Sequence, residues 1–275
     1  MAFFLCFAGS NMAETTQDLN TFDQNHTIFT KLLQENVKDD KVNYTGFIKS
    51  SKFDKYLESL GNIDSKDFGN WSEKQKLAFW INAYNAFTVK AIIDNYPIKR
   101  SFTLVGIFYA PENSILQIPG VWKKLKFKAV GGNVTLDHIE HGILRKEFKE
   151  PRIHVAINCA SVSCPDLRNE AYIADKIEYQ LEDASRNFVN SKTKGVLVDK
   201  NKNRIKVSKI FKWFGDDFFS NYHNQEFNNK SDKQNGTLGF IYKYINEDEK
   251  EYVLRGDYKL KYMPYDWELN ETLSQ

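Results

Sequence analysis

Side chains able to do chemistry crowd into one short part of this chain. Residues 152–168 read Arg-Ile-His-Val-Ala-Ile-Asn-Cys-Ala-Ser-Val-Ser-Cys-Pro-Asp-Leu-Arg, and they hold Cys159 and Cys164, two of only three cysteines. Three of the five histidines, His138, His141 and His154, lie just before them. A thiol, an imidazole and a carboxylate or amide that orients the imidazole are the parts of a nucleophilic site. Cys159 or Cys164 is the candidate nucleophile and His141 the favoured base, with His154 as the alternative. Asn82, Asn85 or Glu140 is the candidate orienter, and the backbone amides near Ala160–Ser163 are a candidate oxyanion hole. Two other chemistries use the same residues. The cysteines suit a disulfide across their four-residue gap, which would make the loop structural. Cysteine and histidine together also bind zinc, though the spacing follows no standard zinc motif.

The elements that must position these groups are legible in part. Phe79-Trp-Ile-Asn-Ala-Tyr-Asn-Ala-Phe87 is apolar on nearly every side, so a helix over 73–95 belongs in the interior. Ser72 is its N-cap. Asn82 and Asn85 lie three apart on one face; buried amides need partners, either neighbouring backbone or a substrate. Thr135 caps a short helix, Leu136–Arg145, in which Asp137 and His141 are one turn apart. Residues 152–158 read as a short strand. In a strand His154 shares a face with Ala156 and Asn158, and Cys159 falls on the other side. A helix opening at 166–170 would lay its positive end beside Cys164 and lower that thiol's pKa.

Elsewhere, residues 14–60 read as amphipathic helix, 101–120 as irregular, and Leu125, Phe127 and Ala129 as one face of a strand. A helix spans 170–190. Val196–Asp199 and Arg204–Val207 form a hairpin. Ser208 caps a helix with Ile210, Phe211, Trp213 and Phe214 facing in and Gly215 as its stop. A helix over 237–246 and a last strand with a tryptophan anchor complete the chain. Without regular βαβ alternation the class is α+β: one domain over 14–275, with a central buried helix packed on a small, largely antiparallel sheet.

Composition narrows the function classes. At 275 residues and 41% hydrophobic content the chain can bury a sizeable core. The 38 basic and 36 acidic residues nearly cancel, which gives no general drive toward nucleic acid. No Gly-x-Ser-x-Gly elbow, phosphate loop, dinucleotide fingerprint or His-Glu-x-x-His occurs, so no cofactor is implied. Residues 1–13 are apolar and end in small residues. They are too short to span a bilayer, and they resemble the end of a secretory signal whose basic start is missing. The expectation is export to the periplasm or the extracellular space, with a cytoplasmic protein as the alternative. Cleavage would remove Cys6 and leave the Cys159/Cys164 pair.

Several motifs resemble a family whose activity is unassigned, the domain of unknown function 547. The likeness is carried by 79–87, by Leu136-Asp-His-Ile-Glu-His-Gly-Ile-Leu-Arg145 and by 152–165. Ser208-Lys-Ile-Phe-Lys-Trp-Phe-Gly-Asp-Asp-Phe218 and Tyr265-Asp-Trp-Glu-Leu-Asn270 fit as well, so it spans about 70–220 plus the tail. The resemblance implies an often exported bacterial protein. It places Asn82, Asn85, Glu140, His141, His154, Cys159 and Cys164 in family motifs without implying a reaction. A buried helix followed by strands is also similar to papain-like and transglutaminase-like cores, whose nucleophile starts the central helix, where this chain has no cysteine. The functional expectation is a cysteine-dependent hydrolase or acyltransferase acting on a peptide-like or small amide substrate. A non-catalytic binding module with a disulfide loop and a Cys/His metal protein are the alternatives.

Overall fold

The computed structural model describes residues 22–272. The signal-like stretch 1–13, with Cys6, lies outside the described residues.

The chain opens with α1 (Thr27–Asn36), a two-residue hairpin β1 (Val37–Lys38) and β2 (Lys41–Val42), and α2 (Tyr44–Ile48), α3 (Ser51–Gly61) and α4 (Ser65–Gly69). These helices surround α5 (Glu73–Ile93), whose residues from Leu77 to Val89 are all buried. The Ser72 side chain accepts from the Gln75 amide, and Gln75 accepts from the Ser72 amide, a capping box that starts α5 where the sequence places it. The helix α6 (Leu104–Phe108) and the hairpin β3 (Phe127–Ala129) and β4 (Gly132–Val134) follow. Phe127 stacks on Phe87 of α5, with ring centroids 4.8 Å apart.

The amides of Asn82 and Asn85 settle the path of the next segment. Asn82 donates to the Tyr172 carbonyl at 2.7 Å and accepts from the Tyr172 amide at 2.9 Å. Asn85 donates to the Ala156 carbonyl at 3.1 Å and accepts from the Asn158 amide at 2.8 Å. Each side chain therefore replaces a strand partner for irregular backbone packed on the central helix. Asn85→Ala leaves a buried carbonyl and a buried amide unpaired, at roughly 1–3 kcal/mol each. It is expected to lower unfolding stability by about 2–4 kcal/mol with an unchanged denaturant slope, read by urea titration.

That segment departs from its sequence reading. Residues His138–Leu144 form a π-helix that continues into α7 (Arg145–Glu147), and Thr135 Oγ1 still caps the start by accepting from the His138 amide. Pro151–Val155 is a 3₁₀ helix rather than a strand, with Pro151 in its first turn and Glu150 accepting from the Arg152 amide. Arg152, 8% exposed, anchors this turn through Glu150, Glu178 and Glu182. No helix opens at 166–170; the next helical turn is 3₁₀, at Ala174–Lys176.

A second hydrophobic cluster gathers α8 (Ile177–Asn190), the hairpin β5 (Val196–Asp199) and β6 (Arg204–Val207), and the helices α9 (Lys209–Tyr222), α10 (Asp232–Tyr244) and α11 (Glu247–Arg255). The hairpin matches its sequence reading, and β7 (Lys259–Tyr262) adds to β6 in parallel. The class is α+β, with strands in small separate sheets rather than one sheet under α5. Gly215 does not stop α9 but sits within it. The close approach belongs to Gly236 and Gly239 of α10, where any Cβ would collide with backbone of Phe219 and Tyr222. This contact seats α9, which supplies one wall of the site. Among the described residues no helix is long and apolar enough to cross a membrane.

Candidate active site

A cavity of about 380 Å³ lies where the two clusters meet. Tyr84 of α5 and Trp122 contribute to its floor and rim. The π-helix supplies Glu140 and His141, the 3₁₀ turn His154, the loop beyond it Cys159 and Cys164, α9 Trp213 and Phe214, and the tail Tyr265 and Trp267. The structure thus brings five of the seven candidate residues together. Asn82 and Asn85 do not line the cavity, because their amides are consumed by backbone. His154 and Cys159 do share it: the 3₁₀ turn abolishes the alternation that set them on opposite faces.

The cysteine loop is tightly fixed. Asn158 accepts from the Ala160 amide at 2.8 Å and donates to the Pro165 carbonyl at 2.7 Å, bracketing the loop. Ala160 adopts φ 59°, a left-handed backbone disfavoured outside glycine. The tail zips against the loop: the Val162 and Ser163 amides donate to the Glu268 and Asp266 carbonyls, and the Asn270 amide to the Ala160 carbonyl. The amides of residues 160, 162 and 163 are therefore all engaged, which takes three of the four amides expected to form an oxyanion hole.

Both thiols are free. Cys164 is buried and its sulfur accepts the Cys159 amide at 2.8 Å. Burial, then its hydrogen bond to Cys159, pushes the Cys164 thiol well above its ordinary pKa. Cys159 is half-buried. The Tyr265 hydroxyl lies 3.2 Å from its sulfur and the Ser161 hydroxyl 3.4 Å. Burial opposes its thiolate, but hydrogen bonds from Cys164, Ser161 and Tyr265 outweigh that and hold Cys159 below the ordinary thiol value. Of the two thiols Cys159 is the one held below the ordinary value, by hydroxyl and thiol donors, and among the described residues no helix end lies beside Cys164 to lower its value.

The histidines differ sharply. His141 is partly exposed; its Nδ1 accepts from Arg145 at 3.2 Å and its Nε2 lies 4.0 Å from Asp137. His154 is 3% exposed and stacks on Phe214 with ring centroids 4.0 Å apart. Its Nε2 donates to Asp217 at 2.8 Å, which leaves Nδ1 as the unprotonated nitrogen, buried and without a hydrogen-bond partner. Asp217 is itself gripped by Arg145 through two bonds of 2.6 and 2.8 Å. Burial lowers the His154 pKa and outweighs Asp217, so the ring is neutral. Burial works against the Asp217 carboxylate, yet Arg145 and His154 hold it well below the usual range. Neither imidazole is within hydrogen-bonding distance of the Cys159 sulfur among the described residues. Glu140 accepts from the Tyr84 hydroxyl at 3.2 Å and does not orient a histidine.

Asp217 and Tyr265 are the participants that sequence reasoning missed. Both lay inside family-like motifs, but nothing local ties them to His154 or Cys159. Among the described residues no three His, Cys, Asp or Glu side chains converge on a point suited to a metal ion.

No curated protein and no solved structure matches the chain. Residues 68–189, less than half of it, match the family described as protein of unknown function, DUF547. The match takes in Tyr84, Glu140, His141, His154, Cys159 and Cys164, and it ends before Asp217, Trp213 and Tyr265. Over that span the chain resembles DUF547.

Proposed function

We propose that the protein is a cysteine-dependent hydrolase or acyltransferase acting on peptide-like or other amide substrates, with Cys159 as nucleophile and His154 as general base. One observation carries the reading. The Cys159 thiol, hydrogen-bonded to Tyr265, shares a cavity with the His154 imidazole, whose tautomer is fixed by a carboxylate and whose other nitrogen is unpartnered. The Cys159 thiolate forms a bond to the acyl carbon, the carbon–nitrogen bond breaks, and the leaving nitrogen takes its proton from water, the hydroxide left behind later taking the proton that His154 collects. Water or an acceptor amine, losing its proton to His154 Nδ1, then releases the acyl group and restores the thiolate. Tyr265, already hydrogen-bonded to the sulfur, is the donor nearest an oxyanion on the carbon bonded to that sulfur. The apolar N-terminus supports export, where the thiols would meet oxidants.

The test is thiol accounting on the purified chain with and without reductant, followed by alkylation rate against pH. One fast-reacting thiolate, with a midpoint below the ordinary thiol value, is expected at Cys159. Cys164→Ala and Tyr265→Phe, each removing a donor, are expected to move that midpoint upward. The rival reading, a binding module with a structural disulfide, draws on the 2.8 Å contact that keeps Cys164 beside Cys159. It predicts no free thiol before reduction, and that result would sink the catalytic mechanism.

A further inference from the structure

Three of the five tryptophans line this one cavity, and Trp213, Tyr265 and Trp267 pack against each other with ring centroids 4.6–6.0 Å apart. Trp213 is 41% exposed, an unusual use of the largest apolar side chain. Aromatic faces carry negative potential and attract cations. The formal charges on the lining point the same way. Lys123 lies 3.7 Å from Asp137 and is 77% exposed, so this pair is nearly neutral and faces water. Glu140 has no cationic partner within ion-pair distance among the described residues; its one hydrogen bond comes from Tyr84. A half-buried carboxylate without an ion-pair partner, in an aromatic cavity, is available to pair with a cationic ligand.

We infer that the cavity recognises an ammonium group on its substrate, held by the Glu140 carboxylate and the tryptophan rings that line the same cavity. A lysine-like side chain or other alkylammonium is the matching chemistry. Glu140 is then a specificity residue rather than the orienter of a base. The subsite shares the cavity assigned above to Cys159 chemistry and deepens that reading, but binding at Glu140 does not require a functional thiol.

The experiment is equilibrium binding to the full chain, followed by tryptophan fluorescence, with three probes of matched length: the amides of Nα-acetyl-lysine, Nα-acetyl-norleucine and Nα-acetyl-glutamate. The lysine amide is expected to bind roughly 10-fold more tightly than the norleucine amide, and the glutamate amide more weakly than either. Glu140→Gln is expected to erase the preference for lysine, and Cys159→Ser to keep it. Equal binding of the lysine and norleucine amides, no binding of the lysine amide at millimolar concentration, or a preference that survives Glu140→Gln would overturn the inference. The first two outcomes need no variant to fold. If the preference holds while alkylation shows no activated thiolate, the catalytic reading fails and the subsite stands. If alkylation behaves as expected and the preference is absent, only the subsite falls.

Discussion

Cys159→Ala is expected to reduce turnover of an activated amide or ester by on the order of 10³-fold or more, because it removes the atom that forms the covalent intermediate. The substitution is small and half-buried, so the fold should survive: the loop is held by Asn158 and by the tail, not by the thiol. Cys164→Ala tests the same site differently. It deletes a donor to the Cys159 sulfur but no reacting atom, so turnover should fall modestly and recover as pH rises. A chromogenic p-nitrophenyl ester or p-nitroanilide, followed for an initial burst, reads both variants. Cys159→Ala with wild-type turnover would remove Cys159 from the chemistry. An equal loss in both variants, unrelieved at high pH, would show that the loop's shape matters and its thiolate does not.

What the sequence displayed was strongest where a signal is local. Caps at Ser72, Thr135 and Ser208, the all-round apolar helix around Asn82 and the 196–207 hairpin each announce themselves within a few residues. The 152–158 segment did not. Its apolar run reads as a strand, yet Pro151 and the Glu150 side chain start a 3₁₀ turn, and Asn85 of α5 supplies hydrogen bonds a sheet would have given. The face on which His154 and Cys159 meet was therefore invisible to any period-of-two argument. The π-helix is similar: its register follows from packing against α5 and from nothing in the 138–144 pattern. The partners that give the site its chemistry are long-range. Asp217 lies 63 residues from His154, and Tyr265 lies 106 from Cys159. Trp213 and Phe214 read as core residues of α9, and they line the cavity instead. The one sequence clue was there: α9 carries more aromatic residues than one buried stripe requires.

The imidazole assignment carries the second large effect. Asp217 Oδ2 accepts from both Arg145 Nε and His154 Nε2, while Oδ1 accepts from Arg145 at its other nitrogen. In Asp217→Asn one of those oxygens becomes an NH₂ group. If the NH₂ faces His154, it donates to Nε2, and the ring proton moves to Nδ1, the nitrogen required as a base. If it faces the outer Arg145 nitrogen, donor meets donor and the clamp loosens. Either way the general base is lost or misplaced, and turnover should fall by about 10²–10⁴-fold. His154→Ala should fall at least as far, whereas His141→Ala, which alters a partly exposed ring, should cost far less. The decisive readout is alkylation. Cys159 is activated by Cys164, Ser161 and Tyr265, not by an imidazole, so Asp217→Asn and His154→Ala should leave its alkylation midpoint in place while turnover collapses. A midpoint that rises with the loss of His154 would mean that the imidazole makes the thiolate after all, through a rearrangement absent from this structure. The pH profile adds an independent check. The ring is neutral because burial depresses its pKa, so activity in the wild-type protein should keep its acid limb below 6.5, the ordinary histidine value. Asp217→Asn removes the carboxylate that partly offsets burial, so whatever activity remains should show that limb displaced further toward acid.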